Sequence, residues 1–495
     1  RRAAAMTALV AVLALPILGA LAAVALPRRA GGAAALATVG LGTAAAAALV
    51  VAVATGGVQR IEAGGWAPPL GIALAADGLA AALVAMGAAV IAAAAAIAAR
   101  TDLAGPDAPA RTAFGFWPLM LLVWAGLNAV VVSRDLFNIY VGLEVLGLAA
   151  VGLAALPGTP AALAAALRYL MVALTGALLF LAGVVLVYAA HGTLDIWLLA
   201  GRTAARSDAA ALALMTAGLA AKTALFPFHV WLPPAHAQAP APASALLSGL
   251  VPKASFVVIL RLWFEAMPDR ATPAALVLLA VAGAAAVLWG GLRALAQARL
   301  KPLVAYSTVA QLGYLFLVFP LAGGDGAAQP WAAGAWTGAA FILIGHGLAK
   351  AAMFLTAGLW LAAAGSDRLA DLRGLARAMP ISALAFALAA VTLAGLPPSA
   401  GFTGKYLLMT AAFAGGQWIW AVVLAGGGLL TAAYLYRPLA VIFARSAPRP
   451  PRPVARSLQA VPLLLALVAI GLGIASAAPF DLVQVGRPAT AEEGL

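Results

Sequence analysis

The sequence contains no cysteine, only four histidines and very few charged residues. Without cysteine the chain can form neither a disulfide framework nor a thiolate metal site, and the four scattered histidines lack metal-ligand spacing. It also contains no glycine-rich phosphate loop and no Ser/His/Asp arrangement. We therefore predict no metal, no cofactor and no catalytic residues, so that any redox chemistry must take place elsewhere.

The scarcity of charge excludes an ordinary soluble domain. Only 9% of the 495 residues are charged and 65% are hydrophobic, with a mean hydropathy of +1.05, whereas soluble domains carry about 25% charged residues. Apolar runs longer than about 18 residues recur, and each can cross about 30 Å of hydrocarbon as a helix. The composition predicts an all-α integral membrane protein, whose net charge of +13 reports membrane orientation rather than a nucleic-acid partner.

The hydropathy pattern predicts about fourteen membrane spans, joined mostly by short connections and without a soluble domain. We therefore expect residues 1–495 to form a single transmembrane domain. The predicted spans lie at about 7–26, 33–55, 73–99, 113–133, 135–156, 162–190, 208–231, 240–264, 272–298, 300–322, 333–363, 380–411, 417–443 and 457–478.

Basic residues orient this array, because cytoplasmic loops of membrane proteins are enriched in arginine and lysine. The loops after even-numbered spans contain few, chiefly Arg60, Arg134, Arg202, Arg206 and Arg270. The loops after odd-numbered spans contain Arg28, Arg29, Arg100, Arg111, Arg293, Arg299, Lys301, Arg368, Arg373, Arg377, Arg437, Arg445, Arg449, Arg452 and Arg456. This distribution predicts that the loops after odd-numbered spans are cytoplasmic and that both termini lie on the outer side, although Arg1 and Arg2 count against that orientation.

Two predicted spans contain internal prolines. Span seven includes Pro227 and runs into Pro233 and Pro234, and span twelve includes Pro397 and Pro398. Proline lacks an N–H and clashes with the preceding turn, so neither span can be a continuous helix. Paired broken helices point to the inverted repeats of a transporter, here spans 4–8 (about 113–264) and spans 9–13 (about 272–443). Alternatively, the prolines simply end helices in interfacial loops.

Lysine is rare, with five residues against twenty-four arginines. Lys301 opens span ten and is expected at the membrane interface, whereas the others fall within spans: Lys222, Lys253, Lys350 and Lys405. Arginine keeps its proton under protein conditions, whereas a desolvated lysine can exchange one. The opposite charge comes from Glu144 near the middle of span five, which we expect to pair with Lys222 because an uncompensated carboxylate is costly there. Each of these side chains could instead snorkel or form a structural ion pair.

Among the histidines, His346 lies within span eleven, where a titratable ring could bridge two lysines as a proton relay. Three secondary candidates for this path are Lys350, four residues later on the same helical face, and His229 and His236 beside the proline cluster. The alternatives are hydrogen-bonded core histidines or polar residues near the end of a span. His191 follows span six and is expected at the surface.

Five segments resemble the signature segments of one known family. They are RDLFNIYVGLEVL, KTALFPFHVWLPPAHAQAPAPASALLSGLVPKASF, LKPLVAYSTVAQLGY, GHGLAKAAMFL and LAGLPPSAGFTGK. They resemble the antiporter-like proton-channel family, which comprises large subunits of Mrp-type cation/proton antiporters and proton-pumping membrane subunits of respiratory complex I and of membrane-bound hydrogenases. The resemblance implies fourteen helices containing two inverted five-helix repeats, with helices seven and twelve broken.

The resemblance also implies roles for individual residues. Glu144 and Lys222 are similar to the family's fifth-helix glutamate and seventh-helix lysine, the pair whose coupling gates proton movement. Lys253 is similar to the central lysine of the eighth helix, and His346 to the histidine of the eleventh. Lys405 is similar to the twelfth-helix lysine at the exit half-channel.

Within the family, these segments most resemble the D subunit of the Mrp-type Na+/H+ antiporters, which implies other membrane subunits as partners, protons as cargo and Na+ as a candidate exchanged ion. Gln311 stands where several relatives have histidine, so no relay is expected on the tenth helix. Three alternatives remain open. They are a proton-pumping subunit of an NADH:quinone oxidoreductase-like or hydrogenase-type enzyme, a proton-channel subunit of an energy-coupled inorganic-carbon uptake complex, and a structural scaffold.

Overall fold

The computed structural model describes residues 2–101, 103–105, 108–323, 329–445 and 451–488, and within them the chain is almost entirely helical. The first part contains α1 (Arg2–Ala25), α2 (Arg28–Gly56), β1 (Gln59–Glu62), β2 (Ala73–Ala76), α3 (Gly78–Ala98), α4 (Ala110–Val132), α5 (Leu136–Ala155), α6 (Pro160–His191), α7 (Ile196–Ala200), α8 (Asp208–Thr223), α9 (Leu232–Gln238), α10 (Ala241–Gly249) and α11 (Val251–Arg261). The second contains α12 (Pro273–Leu295), α13 (Leu300–Leu315), α14 (Val318–Ala322), α15 (Pro330–Ala364), α16 (Pro380–Ala394), α17 (Ala400–Ala414), α18 (Trp418–Ile442), α19 (Arg456–Ile474) and α20 (Ala477–Gln484).

Thirteen helical segments of the described residues are long and apolar enough to cross a membrane, or up to fourteen if the bent pair Leu369–Arg377 and Pro380–Ala394 counts as one. The prediction of a helical membrane protein with about fourteen spans is therefore confirmed. Helices α16 and α17 contain 15 residues each, or about 22 Å at the rise of an α-helix. Neither alone can cross about 30 Å of hydrocarbon, so we treat them together as the broken twelfth span.

Both predicted breaks are present, and each begins with a residue in the left-handed conformation. Helix α8 ends at Thr223, Ala224 has a φ of 59°, and the 3-10 turn Phe228–Trp231 then leads into α9. Helix α16 is followed by Gly395 with a φ of 77°, and α17 begins at Ala400. A left-handed residue is usual just beyond a helix, where glycine is favoured and alanine costs about 1 kcal/mol. Spans seven and twelve are therefore interrupted in the same way.

Two further spans are interrupted, and neither interruption was predicted from the sequence. Span eight is divided at Leu250 into α10 and α11, with Pro252 in the first turn of α11. Span ten is divided beyond Phe316 into α13 and the short α14. A π-helical turn, Leu262–Ala266, completes span eight.

The most extensive helix pairings occur at matching places in the two predicted repeats. They are α4 with α5 and α6 with α8 in the first repeat, and α12 with α13 and α15 with α17 in the second. All four crossings bring two glycines together, and such small residues allow close helix contact in lipid. A Cβ on Gly218, for example, would lie 2.2 Å from the carbonyl oxygen of Gly176. The pairs are Gly126–Gly142, Gly176–Gly218, Gly283–Gly313 and Gly338–Gly404.

Outside the helices, β1 and β2 form an antiparallel hairpin between α2 and α3. Asp77 follows β2 directly and caps α3 by accepting a hydrogen bond from the Ala80 N–H at 2.7 Å. Arg1 and Arg449, which enter the orientation argument, lie outside the described residues. The side of the membrane on which the termini lie stays a prediction, as does the division into repeats.

Candidate functional site

Glu144 and Lys222 form an ion pair inside the bundle. The Lys222 Nζ donates to Glu144 Oε1 over 2.7 Å, and the two side chains are 19% exposed for Glu144 and 8% exposed for Lys222. Glu144 lies midway along α5, and Lys222 lies one residue before the end of α8. Removal of either partner would leave a single charge in a low-dielectric interior, which is costly. The predicted contact is confirmed, whereas its role in proton transfer stays a prediction.

A hydroxyl pair joins the helices that carry Lys222 and Lys253. The hydroxyls of Thr223, adjacent to Lys222, and of Ser255, two residues after Lys253, are 2.8 Å apart. Lys222, Ser255 and Tyr169 also line a cavity of about 10 Å³, close to the size that holds one water molecule. The packing of α8 on α11 therefore brings the helices of the two lysines together across a pair of hydroxyl groups.

The Lys253 ammonium donates a hydrogen bond to a backbone carbonyl that a proline leaves without its helical donor. Pro252 has no N–H, so the carbonyl of Ser248, four residues earlier, loses its helical donor. The fully buried Lys253 donates to that carbonyl. The Ser248 hydroxyl lies 2.9 Å from the hydroxyl of Thr308 on α13. The proline thus interrupts the helix, and the adjacent lysine satisfies the acceptor that the interruption exposes.

The same arrangement recurs at the break in span twelve. Pro397 and Pro398 cannot donate to the carbonyls of Leu393 and Ala394, which lie four residues earlier in each case. The Nζ of Lys405 donates to both of these oxygens, at 2.9 Å and 3.3 Å. Lys405 is buried, and its position on α17 lets it reach back across the break to the end of α16.

His346 lies among lysines of both halves of the bundle. The cationic groups that act electrostatically on its imidazole are Lys253, Lys350 and Lys405. His346 is buried, and neither ring nitrogen forms a hydrogen bond with another described protein group. The Lys405 ammonium also lies 4.2 Å from the centre of the Tyr314 ring, within cation–π range. The structure therefore groups three predicted path residues and the secondary candidate Lys350.

His236 belongs to this group as well. It is fully buried on α9, its ring stacks on Phe354 with 4.7 Å between the ring centres, and Lys301, Lys350 and Lys253 act on it electrostatically, in that order. Its two ring nitrogens also lack partners among the described protein groups. Lys350 donates to the carbonyl of Val304 over 3.0 Å. Two of the three secondary candidates thus adjoin the buried lysines.

His229 does not join them. Its Nε2 accepts a hydrogen bond from the Trp289 indole at 3.1 Å, and the charge that acts on it is Arg293. Gln311 instead connects α13 to α18 by donating to the Thr431 hydroxyl over 3.1 Å, which is consistent with a packing role.

Two side chains that were expected near the ends of spans are buried. Lys301 is 5% exposed and donates to the carbonyl of Ala239 at 2.5 Å, because the end of α9 leaves such carbonyls without helical donors; its position at the membrane interface stays a prediction. His191 was expected at the surface, but its side chain is 7% exposed and lies 2.8 Å from a carboxylate oxygen of Asp208. In both cases a contact distant in sequence covers the side chain.

Four charged residues outside the predicted path form a buried group, which we call the charge cluster: Asp77, Arg134, Arg261 and Glu265. Arg134 lies 2.5 Å from Asp77 and 2.8 Å from Glu265, whereas Arg261 lies 3.1 Å from the same Asp77 oxygen and 3.9 Å from Glu265. None of the four side chains is more than 10% exposed. Two positive and two negative charges therefore compensate one another inside the protein.

The charge cluster was not predicted from the sequence, although Arg261 falls within the predicted span eight. Two signals were available. Arg261 and Glu265 are four residues apart, a spacing typical of helical ion pairs, and Asp77 directly precedes an apolar run, as N-cap residues do. Neither signal indicates that these segments meet at Arg134.

The cluster fixes the charge of its members that lie outside the spans. Burial alone would raise the pKa of Asp77, but the charges of Arg261 and Arg134 outweigh burial and hold this pKa below its ordinary value. Burial would likewise lower the pKa of Arg134, but the carboxylates of Glu265 and Asp77 raise it. Both side chains are therefore charged at neutral pH.

Fold and site together define a polytopic membrane protein of the transporter type, with titratable side chains buried among interrupted spans. A family model described as "NADH:quinone oxidoreductase/Mrp antiporter, TM" matches residues 133–431, more than half of the chain. The chain belongs to this family, which confirms the resemblance carried by the five sequence segments.

Relatives from two branches of the family are similar to this chain. The N subunit of the NADH-quinone oxidoreductase of Desulforudis audaxviator is 35% identical over 413 residues, which cover 82% of this chain and 79% of the relative. The D subunit of the Na+/H+ antiporter of Alkalihalophilus pseudofirmus is 30% identical over 390 residues, covering 77% and 76%. A chain in the structure of the Mrp complex from Dietzia sp. DQ12-45-1b superimposes with a TM-score of 0.86 at 28% identity, covering 98% of this chain and 96% of that one.

Proposed function

We propose that this chain is a proton-translocating subunit of a multisubunit complex in a bacterial cytoplasmic membrane. One observation carries the proposal. Four titratable side chains, Lys222, Lys253, His346 and Lys405, are each at most 7% exposed within an apolar bundle. Ionisable residues are costly inside a membrane protein and commonly mark a transport path. A structural scaffold would not require them.

In the proposed path, a proton moves from Lys222 through Lys253 and His346 to Lys405. Glu144 stabilises the charged form of Lys222 while the two are 2.7 Å apart. Movement of Glu144 away would leave the ammonium without a compensating charge and favour release of its proton. Approach and retreat of this carboxylate would therefore load and unload the first lysine.

Lys253 and Lys405 are suited to transient proton carriage because their partners are neutral carbonyls. A neutral amine keeps N–H donors, so each carbonyl stays satisfied whether or not the lysine carries the extra proton. The charges of both lysines act on the imidazole of His346. This ring can take up a proton on one nitrogen while it releases one from the other. Lys350 and His236 would extend this network on one side.

Within the family, we propose that the complex is a Mrp-type Na+/H+ antiporter in which this chain is similar in role to the D subunit. The support is the antiporter relative at 30% identity and the Mrp chain with a TM-score of 0.86. A membrane subunit of a complex I-like oxidoreductase is the second candidate, favoured by the 35% identity to an N subunit. Purification of the native complex separates the two, because an oxidoreductase requires iron–sulfur or flavin partners and an antiporter does not.

The test is proton-coupled transport by the complex reconstituted in vesicles. Glu144→Gln and Lys222→Met should each reduce it by about 100-fold, the range expected for a lost proton-transfer group. Glu62→Gln is the matched control, because Glu62 is a half-exposed carboxylate in the β1 strand that also pairs with a cation. Full transport by Glu144→Gln in a normally assembled complex would refute the proposal.

A further inference from the structure

We propose that a cleft beyond the end of α15 is a binding site for a phosphate-bearing anion. The cleft has a volume of about 540 Å³, within the size range of small-molecule pockets. It lies between the last turn of α15, the 3-10 turn Leu375–Arg377, Arg445 beyond α18, and Pro451 and Arg452 before α19. We call it the arginine cleft, after its four basic residues Arg373, Arg377, Arg445 and Arg452.

The walls of the arginine cleft are fixed by backbone hydrogen bonds. The N–H of Arg452 donates to the carbonyl of Ala363 at 2.9 Å, which joins the segment before α19 to α15. The N–H of Gly374 donates to the carbonyl of Val441 at 3.1 Å, which joins the 3-10 region to α18. Arginines from three separate segments are therefore held around one space, far along the chain from Lys222 and Lys253.

The four guanidinium groups have no partners of their own in the part of the chain that the structure describes. No ion pair or side-chain hydrogen bond involves them there, whereas other arginines, such as Arg134 and Arg299, pair with carboxylates at 2.8 Å or less. Asp371 is the carboxylate that lines the same cleft. An anion from outside the chain would supply the missing acceptors.

The charge balance favours an anion. Four guanidinium charges face one carboxylate and the C-terminal end of α15, which contributes about half a negative charge. The excess is therefore more than two positive charges. Guanidinium groups match phosphate oxygens with paired N–H donors, and all four basic groups here are arginine rather than lysine.

The same chemistry could come from an acidic phospholipid or from free phosphate. The cleft lies where membrane helices end, and Ala363, Ala364 and Leu375 give it an apolar wall against which the alkyl part of a lipid can pack. Basic pockets at such positions bind anionic head groups. The lipid phosphodiester is therefore the favoured source, and the experiment separates it from free phosphate.

The experiment uses the purified native complex in nanodiscs of phosphatidylcholine with a minor fraction of phosphatidylglycerol. Lipid retained after transfer to detergent is quantified by mass spectrometry for the wild type, for Arg373→Gln/Arg445→Gln and for the control Arg29→Gln/Arg168→Gln. The control removes two exposed arginines from elsewhere on the chain. Loss of two arginines from the cleft should lower phosphatidylglycerol retention by about 30-fold, and the control should retain it.

Binding of inorganic phosphate to the delipidated complex, measured by calorimetry, forms the second arm. Phosphate binding that the cleft variant loses and the control keeps would support the site with free phosphate as its source. Equal lipid retention by both variants without phosphate binding overturns the proposal. Lipid loss that accompanies loss of a partner subunit also overturns it, because the arginines would then bind an acidic protein segment. The variant Arg373→Lys/Arg445→Lys is a further control for misfolding. It keeps both positive charges without the paired guanidinium donors and should retain an intermediate amount of lipid.

Discussion

Replacement of Asp77 by asparagine should destabilise this protein far more than the small change in structure suggests. One Asp77 oxygen lies 2.5 Å from Arg134 and 3.1 Å from Arg261. Asparagine has the same shape and can still accept from the Ala80 N–H as an N-cap, but its NH2 group then faces the two arginines, so the change removes both the charge and the acceptor that they share. Two buried guanidinium groups would then share Glu265, and breaking a buried ion pair costs about 3–5 kcal/mol.

The assay is thermal and denaturant unfolding of the purified protein in detergent, with Glu62→Gln as the matched control. Glu62 lies 3.3 Å from Arg60, but these side chains are 38% and 45% exposed, so that loss should cost at most about 1 kcal/mol. The double variant Asp77→Asn/Arg261→Met removes one charge of each sign and should recover part of the stability. An Asp77→Asn effect no larger than that of Glu62→Gln would contradict the reasoning.

Comparison of Asp77→Asn with the wild type should also show how the stability conferred by Asp77 depends on pH. The pKa of Asp77 in the folded state is below its ordinary value of 3.8, so its contribution is fully present above that value. The contribution declines as the pH falls through the lower, folded-state pKa, because protonation then removes the carboxylate. The wild type should therefore lose stability more steeply than Asp77→Asn below about pH 4.

Two other predictions concern helix breaks and helix crossings. Pro252→Ala should return an N–H to the Ser248 carbonyl, displace Lys253 from it and slow transport by about tenfold. The control Pro160→Ala, in the first turn of α6, should leave transport unchanged. Unchanged transport by Pro252→Ala would contradict this role of the proline. Gly218→Ala should lower stability by about 1–3 kcal/mol, since its Cβ would lie 2.2 Å from a backbone oxygen, whereas Gly334→Ala has open space and should be neutral in the same unfolding assay.

The two predicted breaks were accessible from sequence because consecutive or clustered prolines cannot be accommodated in one helix. Pro397 and Pro398 exclude two successive helical hydrogen bonds, which leaves a break as the outcome. A single proline such as Pro252 is different, because it can kink a helix, begin a new one or divide a span. The outcome depends on whether another donor forms a hydrogen bond with the carbonyl that the proline leaves free. Tertiary packing decides which donor lies there.

The Glu144–Lys222 contact was predictable for a related reason. A carboxylate in mid-span needs a cation, and the interior of this chain has few to choose from. The charge cluster had no such constraint. Its contacts join Arg134 to residues 57 and 131 positions away and Arg261 to one 184 positions away, and each member lies near the end of a span, where a charge can also remain in water. Local pattern therefore could not distinguish burial from exposure.

The positions of lysine and proline in this bundle are mutually dependent. Where no water can satisfy a backbone carbonyl, a proline that removes its donor creates a costly acceptor, and an ammonium beside it resolves that cost. Lys253 and Lys405 both do so, at breaks in different halves of the bundle. Lys222 differs, since among the described lysines its ammonium is the one that binds a carboxylate. A carboxylate on a separate helix can move independently of the lysine, whereas a carbonyl held by the lysine's own break cannot. In the proposed path, protonation is therefore controlled by movement at the Glu144–Lys222 contact, and the later lysines pass on the proton that this contact releases.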